Sequence, residues 1–149
     1  MASCATTPWT AGNWSAFYTV GNPNFSITSL STLGDILYVG KADGLHALDE
    51  EGDGGKMLTP ELASAADADN CKNTLIWHAQ LWVPHSRGLL MYRDMGTQGF
   101  VVVPAAPSAW SSTENVVRGR VTAMAGDHRW LYAALRADDG TSYLLAGRE

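Results

Sequence analysis

One pattern recurs along this chain, and it limits the possible folds more than any other feature. Residues 27–49 read ITSLSTLGDILYVGKADGLHALD. A stretch carrying Thr28 and Leu30 leads into the turn Gly34-Asp35. The apolar run Ile36-Leu37-Tyr38-Val39 follows, then the turn Asp43-Gly44, then Leu45, Ala47 and Leu48. Short apolar runs separated by Gly and Asp predict strands joined by hairpins. The nearly continuous run over 36–39 predicts a strand packed on both faces. Met57-Leu58 is the expected fourth, outer strand, and Thr59-Pro60-Glu61-Leu62 closes the unit.

Two further stretches repeat this unit. Thr74 to Trp77, a turn at His78-Ala79-Gln80, Leu81-Trp82-Val83, a turn at Arg87-Gly88 and Leu89 to Tyr92 make the second, with Gln98 to Val103 as its outer strand. The third opens at Val116. Its VTAMAGDHRWLYA, residues 121–133, has the length of residues 27–39 and places Val121 on Ile27, Thr122 on Thr28, Met124 on Leu30, Leu131 on Leu37 and Tyr132 on Tyr38. Asp138 to Thr141 is the next hairpin turn and Tyr143-Leu144-Leu145 the returning strand. Tyr38 to Trp82 is about 44 positions and Trp82 to Tyr132 about 50, a spacing typical of four-stranded propeller blades. A lone four-stranded sheet cannot bury both faces, so successive units are expected to cover one another. The predicted fold is therefore all-β: a partial β-propeller of four-stranded antiparallel blades, with a leading strand at Phe17 to Val20, two full blades (27–62 and 74–103) and most of a third (116–149). Propellers usually close with at least four blades, so a larger propeller or an assembly with other chains is expected. Residues 1–13 read as an irregular arm before a propeller-like domain at 14–149, and Ser64 to Asn73 as a surface loop with a short helix possible over 63–68.

Composition narrows the function classes. The chain has 149 residues, 46% of them hydrophobic, enough for one domain with a real core. Its net charge of −5, with ten scattered Lys and Arg, argues against a nucleic-acid partner. The longest apolar runs are only a few residues, so neither a membrane span nor a secretory signal is expected. Cys4 and Cys71 permit one bridge without defining a framework, and a small buried thiol is the simpler reading of Cys71. The acceptor patterns at Asn13 and Asn24 are read as coincidence without a signal.

No catalytic constellation emerges. There is no Gly-x-Ser-x-Gly elbow, phosphate loop or dinucleotide fingerprint. His78 and His85 fall on different turns, and His46 and His128 stand alone, which does not make a zinc set. Asp67-Ala68-Asp69-Asn70 begins like a calcium loop but lacks its Gly and distal Glu. The acidic turn at Asp49 to Asp53 reads as solvated. Six tryptophans raise a sugar-stacking alternative, although Trp77, Trp82 and Trp130 sit in or beside apolar strands and read as core. Trp9, Trp14 and Trp110 lie in loop-like stretches, where exposure stays open. Carboxylates paired in space for glycan hydrolysis stay open too.

At ITSLSTLGDILYVGKADGLHALD the chain resembles the repeat of regulator-type propellers. Ile27, Leu37, Tyr38, Val39, Gly40, Gly44 and Leu45 carry the match, and the second unit departs from it with Pro84 in place of Gly40 and a shortened start. The wider string, including FYTVGNPNFSITSL and VRGRVTAMAGDHRWLYAAL, is similar to uncharacterised propeller-like proteins of tailed phages. The resemblance implies a fold and no catalytic residue. The expectation is a non-enzymatic structural module of a virion or its tail, made in the host cytoplasm, whose partners are other protein chains. A carbohydrate-binding host-adsorption module is the alternative. No catalytic, cofactor-binding or metal residue is assigned.

Overall fold

The computed structural model describes residues 19–48, 55–86, 88–94, 100–104 and 119–148. The expected arm at 1–13, the acidic turn at 49–53, the loop at 105–114, and Trp9, Trp14, Trp110 and Cys4 lie outside them. The structure is all-β, with three small antiparallel sheets in chain order. The first holds β1 (Ile27–Leu33), β2 (Ile36–Lys41), β3 (Gly44–Leu48) and β4 (Lys56–Met57). A 3-10 turn at Pro60–Ala65 and a run of turns lead to the second: β5 (Leu75–Trp77), β6 (Gln80–His85), β7 (Gly88–Asp94) and β8 (Phe100–Pro104). The third has β9 (Gly119–Gly126), β10 (Leu131–Ala137) and β11 (Ser142–Gly147). Each sheet runs in sequence order, so every described neighbour pair is antiparallel.

The repeat is visible in the backbone itself. In the first sheet Ile27 pairs with Lys41 and Ser29 with Gly40, leaving Thr28 as the extra residue of a bulge. In the third, Val121 pairs with Leu135 and Ala123 with Ala134, leaving Thr122 in the same place. A bulge marks a fixed local bend, so its recurrence at two positions matched from sequence means the two sheets share one geometry.

The second sheet departs from the pattern at its first strand, and Pro84 supplies the reason. The Cys71 N–H donates to Pro84 O at 2.7 Å, so Pro84 turns its backbone toward the β5 side, where it has no N–H to offer. The ladder stops at the Leu75–Trp82 pair. Upstream the chain turns, with Cys71 and Asn73 at φ of 60° and 56°.

Side chains alternate between two buried faces. Tyr38 and Leu45 of the first sheet pack with Leu81, Val83, Leu90 and Tyr92 of the second, and Tyr38 meets Tyr92 edge-on at 5.6 Å. Val39 and Leu48 point the other way, onto Val20. The run 36–39 is therefore buried on both faces, as its composition predicts. The second sheet's opposite face meets the third: Leu89 packs on Val121, Ala133 and Leu135, and β9 lies against β5, β6 and β7. Trp77 reaches across to donate its indole N–H to Asp127 O at 2.6 Å. The three sheets form a sequential stack.

Several expectations are corrected. Thr19 and Val20 form no strand. Val20 O and Asn22 O instead accept from the buried Lys41 Nζ, the latter at 2.6 Å, so a side chain takes the place of a neighbouring strand. The stretch 64–73 is no simple surface loop, because Asn70 and Cys71 are buried. Its helical part is a 3-10 turn placed earlier, at Pro60–Ala65, where Pro60 is tolerated in a first turn. Trp77 is buried, but Trp82 and Trp130 are only half-buried.

Candidate functional site

The described residues concentrate their polar chemistry in one place, the connection between the first two sheets. Its residues bond to all three sheets. Asn70 is the centre: its Nδ2 donates to Ala42 O and Ala65 O, each at 2.9 Å, and its Oδ1 accepts from the Ser86 N–H at 2.8 Å. Thr28 Oγ1, at the first bulge, donates to Asn70 O at 2.7 Å. Asn73 Nδ2 donates to Thr122 O, at the third sheet's bulge, at 2.9 Å. The two bulges thus present backbone and hydroxyl groups to the same connecting segment.

Charge follows the same route. Arg120 on β9 grips Asp67 with both nitrogens, at 3.0 and 2.7 Å, and donates to Asp69 at 2.8 Å. Lys72 Nζ sits 2.7 Å from the other Asp69 oxygen. The Asp69 N–H bonded to Asp67 holds that carboxyl below the usual range, with Arg120 adding to it. Lys72, then Arg120, does the same for Asp69. Burial works against the Arg120 charge, but the bonds and charges of Asp67 and Asp69 outweigh it and raise its pKa. A groove of about 350 Å³ runs beside this cluster, lined by Asp69, Arg120, Thr122, Arg136 and Asp138. Two carboxylates held down in this way are poor proton donors near neutral pH, so this pair is suited to clamping sheets together.

The buried thiol gives no better chemistry. Cys71 is a free cysteine whose pKa burial pushes up to about 12. It shares with His85 and Tyr92 a cavity of about 10 Å³, no more than a single water needs. A nucleophile requires an accessible thiolate, and here there is neither thiolate nor room. In the first sheet His46 Nε2 lies 3.4 Å from Asp43 Oδ1, both buried, with Gly21 packed against the imidazole ring. Thr59, the nearby hydroxyl, accepts from the Leu45 N–H at 3.0 Å. His78 is exposed in a hairpin turn, while His85 is buried at the end of β6. Among the described residues no three His, Cys, Asp or Glu side chains gather as metal ligands.

What remains is a surface. On the third sheet, one face carries Val121, Met124, Ala133, Leu135 and Leu145 against the second sheet. The pairing places Ala123, Ala125, Tyr132, Ala134, Leu144 and Ala146 on the other. That face is weakly covered, and Leu144 is 75% exposed. The sequence locates these strands but gives no sign that Leu144 is bare, because the same alternation describes a sheet covered on both sides.

Comparison with known proteins returns no matching family model, no curated relative and no matching solved structure. No helix among the described residues is long and apolar enough to cross a membrane.

Proposed function

We propose that this chain is a non-enzymatic module of β-propeller type that works by contacting other protein chains, and that it belongs to the virion or tail of a tailed phage. The observation that carries the interaction role is the bare face of the third sheet, with Leu144 at 75% exposure. In the first two sheets the equivalent apolar faces are covered by the next element of the stack. An apolar sheet face left open is a site for another sheet. The ring reading is supported by three successive sheets, the first and third of which share a bulge position, and further sheets from other chain segments or other chains would extend the stack. The phage setting rests on the likeness of the repeat to propeller-like phage proteins.

The test is particle composition. Mass spectrometry of purified virions from the encoding phage should find the chain at fixed stoichiometry, and a folded Leu144→Asp variant should be excluded from them. Absence of the parent chain from pure particles would end the virion assignment. Full incorporation of Leu144→Asp would remove the bare face from the mechanism.

For a sugar-binding role, the described tryptophans offer little platform. Trp77 is buried and bonded to Asp127 O, and Trp130 is half-buried under the Arg148 guanidinium, 5.6 Å from the ring centre.

A further inference from the structure

Among the described residues the third sheet is open at an edge as well as on a face. In the first two sheets a fourth strand lies outside the third one: β4 beyond β3 and β8 beyond β7. Among the described residues nothing pairs with β11 on that side. The corresponding outer edges of the other two sheets are blunted, since β4 is only two residues long and β8 ends in Pro104. Short strands and prolines are the usual guards against edge pairing. β11, SYLLAG, has no proline and no charge. It also holds two of the exposed large apolar side chains, Tyr143 at 39% and Leu144 at 75%.

Which groups face outward follows from the hairpin. The Ala137 N–H donates to Thr141 O at 2.8 Å, and the Gly140 N–H to Ala137 O at 2.9 Å, closing the loop 138–140. Hydrogen-bonded pairs alternate along an antiparallel ladder. With 137 and 141 bonded, the bonded pairs continue as 135 with 143, 133 with 145 and 131 with 147. Ser142, Leu144 and Ala146 therefore aim their N–H and C=O groups away from β10, at the open edge.

We propose that β11 pairs antiparallel with β11 of a second copy of this chain, about a two-fold axis through Leu144. Leu144 faces Leu144 of the partner, and Ser142 and Ala146 face the partner's Ala146 and Ser142. Each of these three pairs exchanges two backbone hydrogen bonds. Side-chain parity is kept, because residues directly opposite in an antiparallel pair share a face. Tyr143 then lies opposite the partner's Leu145. Charges agree as well: continuing the register sets Arg148 beside the partner's Gly140 in the acidic turn that carries Asp138 and Asp139. An uncharged edge with a cationic end and an acidic turn is self-complementary under a two-fold axis, and such an isologous contact closes on itself. This goes beyond the module role and does not depend on it; a monomer would overturn the pairing and leave the virion test untouched.

The register makes the experiment selective. The Leu144 N–H points outward, so Leu144→Pro deletes an intermolecular donor without breaking the β10–β11 ladder. The full chain should sediment at twice its 16.0 kDa mass at tens of micromolar. Leu144→Pro should keep its circular dichroism spectrum and melting transition while its dimer dissociation constant rises at least ~10-fold, the size of effect expected for lost edge bonds. Under mild oxidation Leu144→Cys should give a disulfide dimer, because directly paired residues lie within bridging distance. Ser142→Cys should not, because in this register its copies are offset by four residues along the strands. A monomeric parent chain, an undiminished dimer in folded Leu144→Pro, or equal cross-linking at 142 and 144 would each overturn the proposal.

Discussion

Asn70→Leu should be among the most damaging single changes that leave the apolar core intact. Leu keeps the γ-branch of Asn with methyls in place of Oδ1 and Nδ2, so it removes all three hydrogen bonds, and its larger bulk can only add to the loss at so buried a site. Asn70 is 1% exposed and joins three backbone groups: Ala42 O in the first sheet's hairpin, Ala65 O in the 3-10 turn and the Ser86 N–H in the second sheet's hairpin. Ala65 O and the Ser86 N–H lie where water can replace the lost partner, at a cost of about 1 kcal/mol each. Ala42 O is buried but keeps the Asp67 N–H at 2.9 Å, so losing Asn70 there costs about 1 kcal/mol as well. The three hydrogen bonds together account for about 3 kcal/mol, a large share of the 5–15 kcal/mol typical of a whole domain. At about 3 °C per kcal/mol for a chain of this length, the melting temperature should fall by roughly 9 °C or more. Urea titration gives the direct measurement, with the midpoint falling and the slope unchanged. Asn73→Ala is the control. That residue is exposed and loses a single bond, to Thr122 O, so its cost should stay under about 1 kcal/mol. If Asn70→Leu costs no more than Asn73→Ala, the connecting segment is not what joins the sheets.

Three further outcomes are expected. His78 and Ala79 form a two-residue hairpin turn with φ of 49° and 57°, a backbone region that penalises a β-carbon, so Ala79→Gly should raise stability by about 0.5–1 kcal/mol in the same titration. Because Asp67 and Asp69 have lowered folded pKa values, their stabilisation is complete above the unfolded value near 3.8 and is lost as pH falls through the folded values. The stability gap between the parent chain and Asp67→Asn should therefore be widest near neutral pH and close in the acid range below about pH 4, read by denaturation at stepped pH. Cys71 shows the opposite case. Its thiol stays neutral in the fold to about pH 12 but ionises near 9 when unfolded, so its contribution falls as pH rises past 9. In a Cys4→Ser background Cys71 should resist thiol reagents at pH 8 until denaturant is added. Fast native labelling would contradict its burial.

Much of the fold was legible because strands and hairpins are written locally. Gly34-Asp35 and the Asp138 to Gly140 turn mark reversals, and the run 36–39 announces burial on two faces. The match of 27–39 to 121–133 goes deeper, since it places the bulge residues Thr28 and Thr122 on each other. Even the shortened start of the second unit has a cause visible in the sequence, a proline that cannot donate to β5. The connecting segment was not legible. AADADNCKN, residues 65–73, is small and acidic and reads as solvent-exposed. Yet Asn70 is buried because Ala42 and Ser86, distant in the chain, happen to converge on it.

Arg120 shows the same limit from the charge side. Nothing near it in sequence distinguishes it from Arg118, and its partners lie more than fifty positions away. Leu144 is the converse, an ordinary apolar strand residue left bare because no described element packs over its sheet. Alternation and turn chemistry act between neighbours along the chain, so the sequence alone settles which residues form each small sheet and which side chains share a face. Which face is covered, which acid meets which base and which strand edge stays open depend on how the sheets meet in space, and only the tertiary structure decides that.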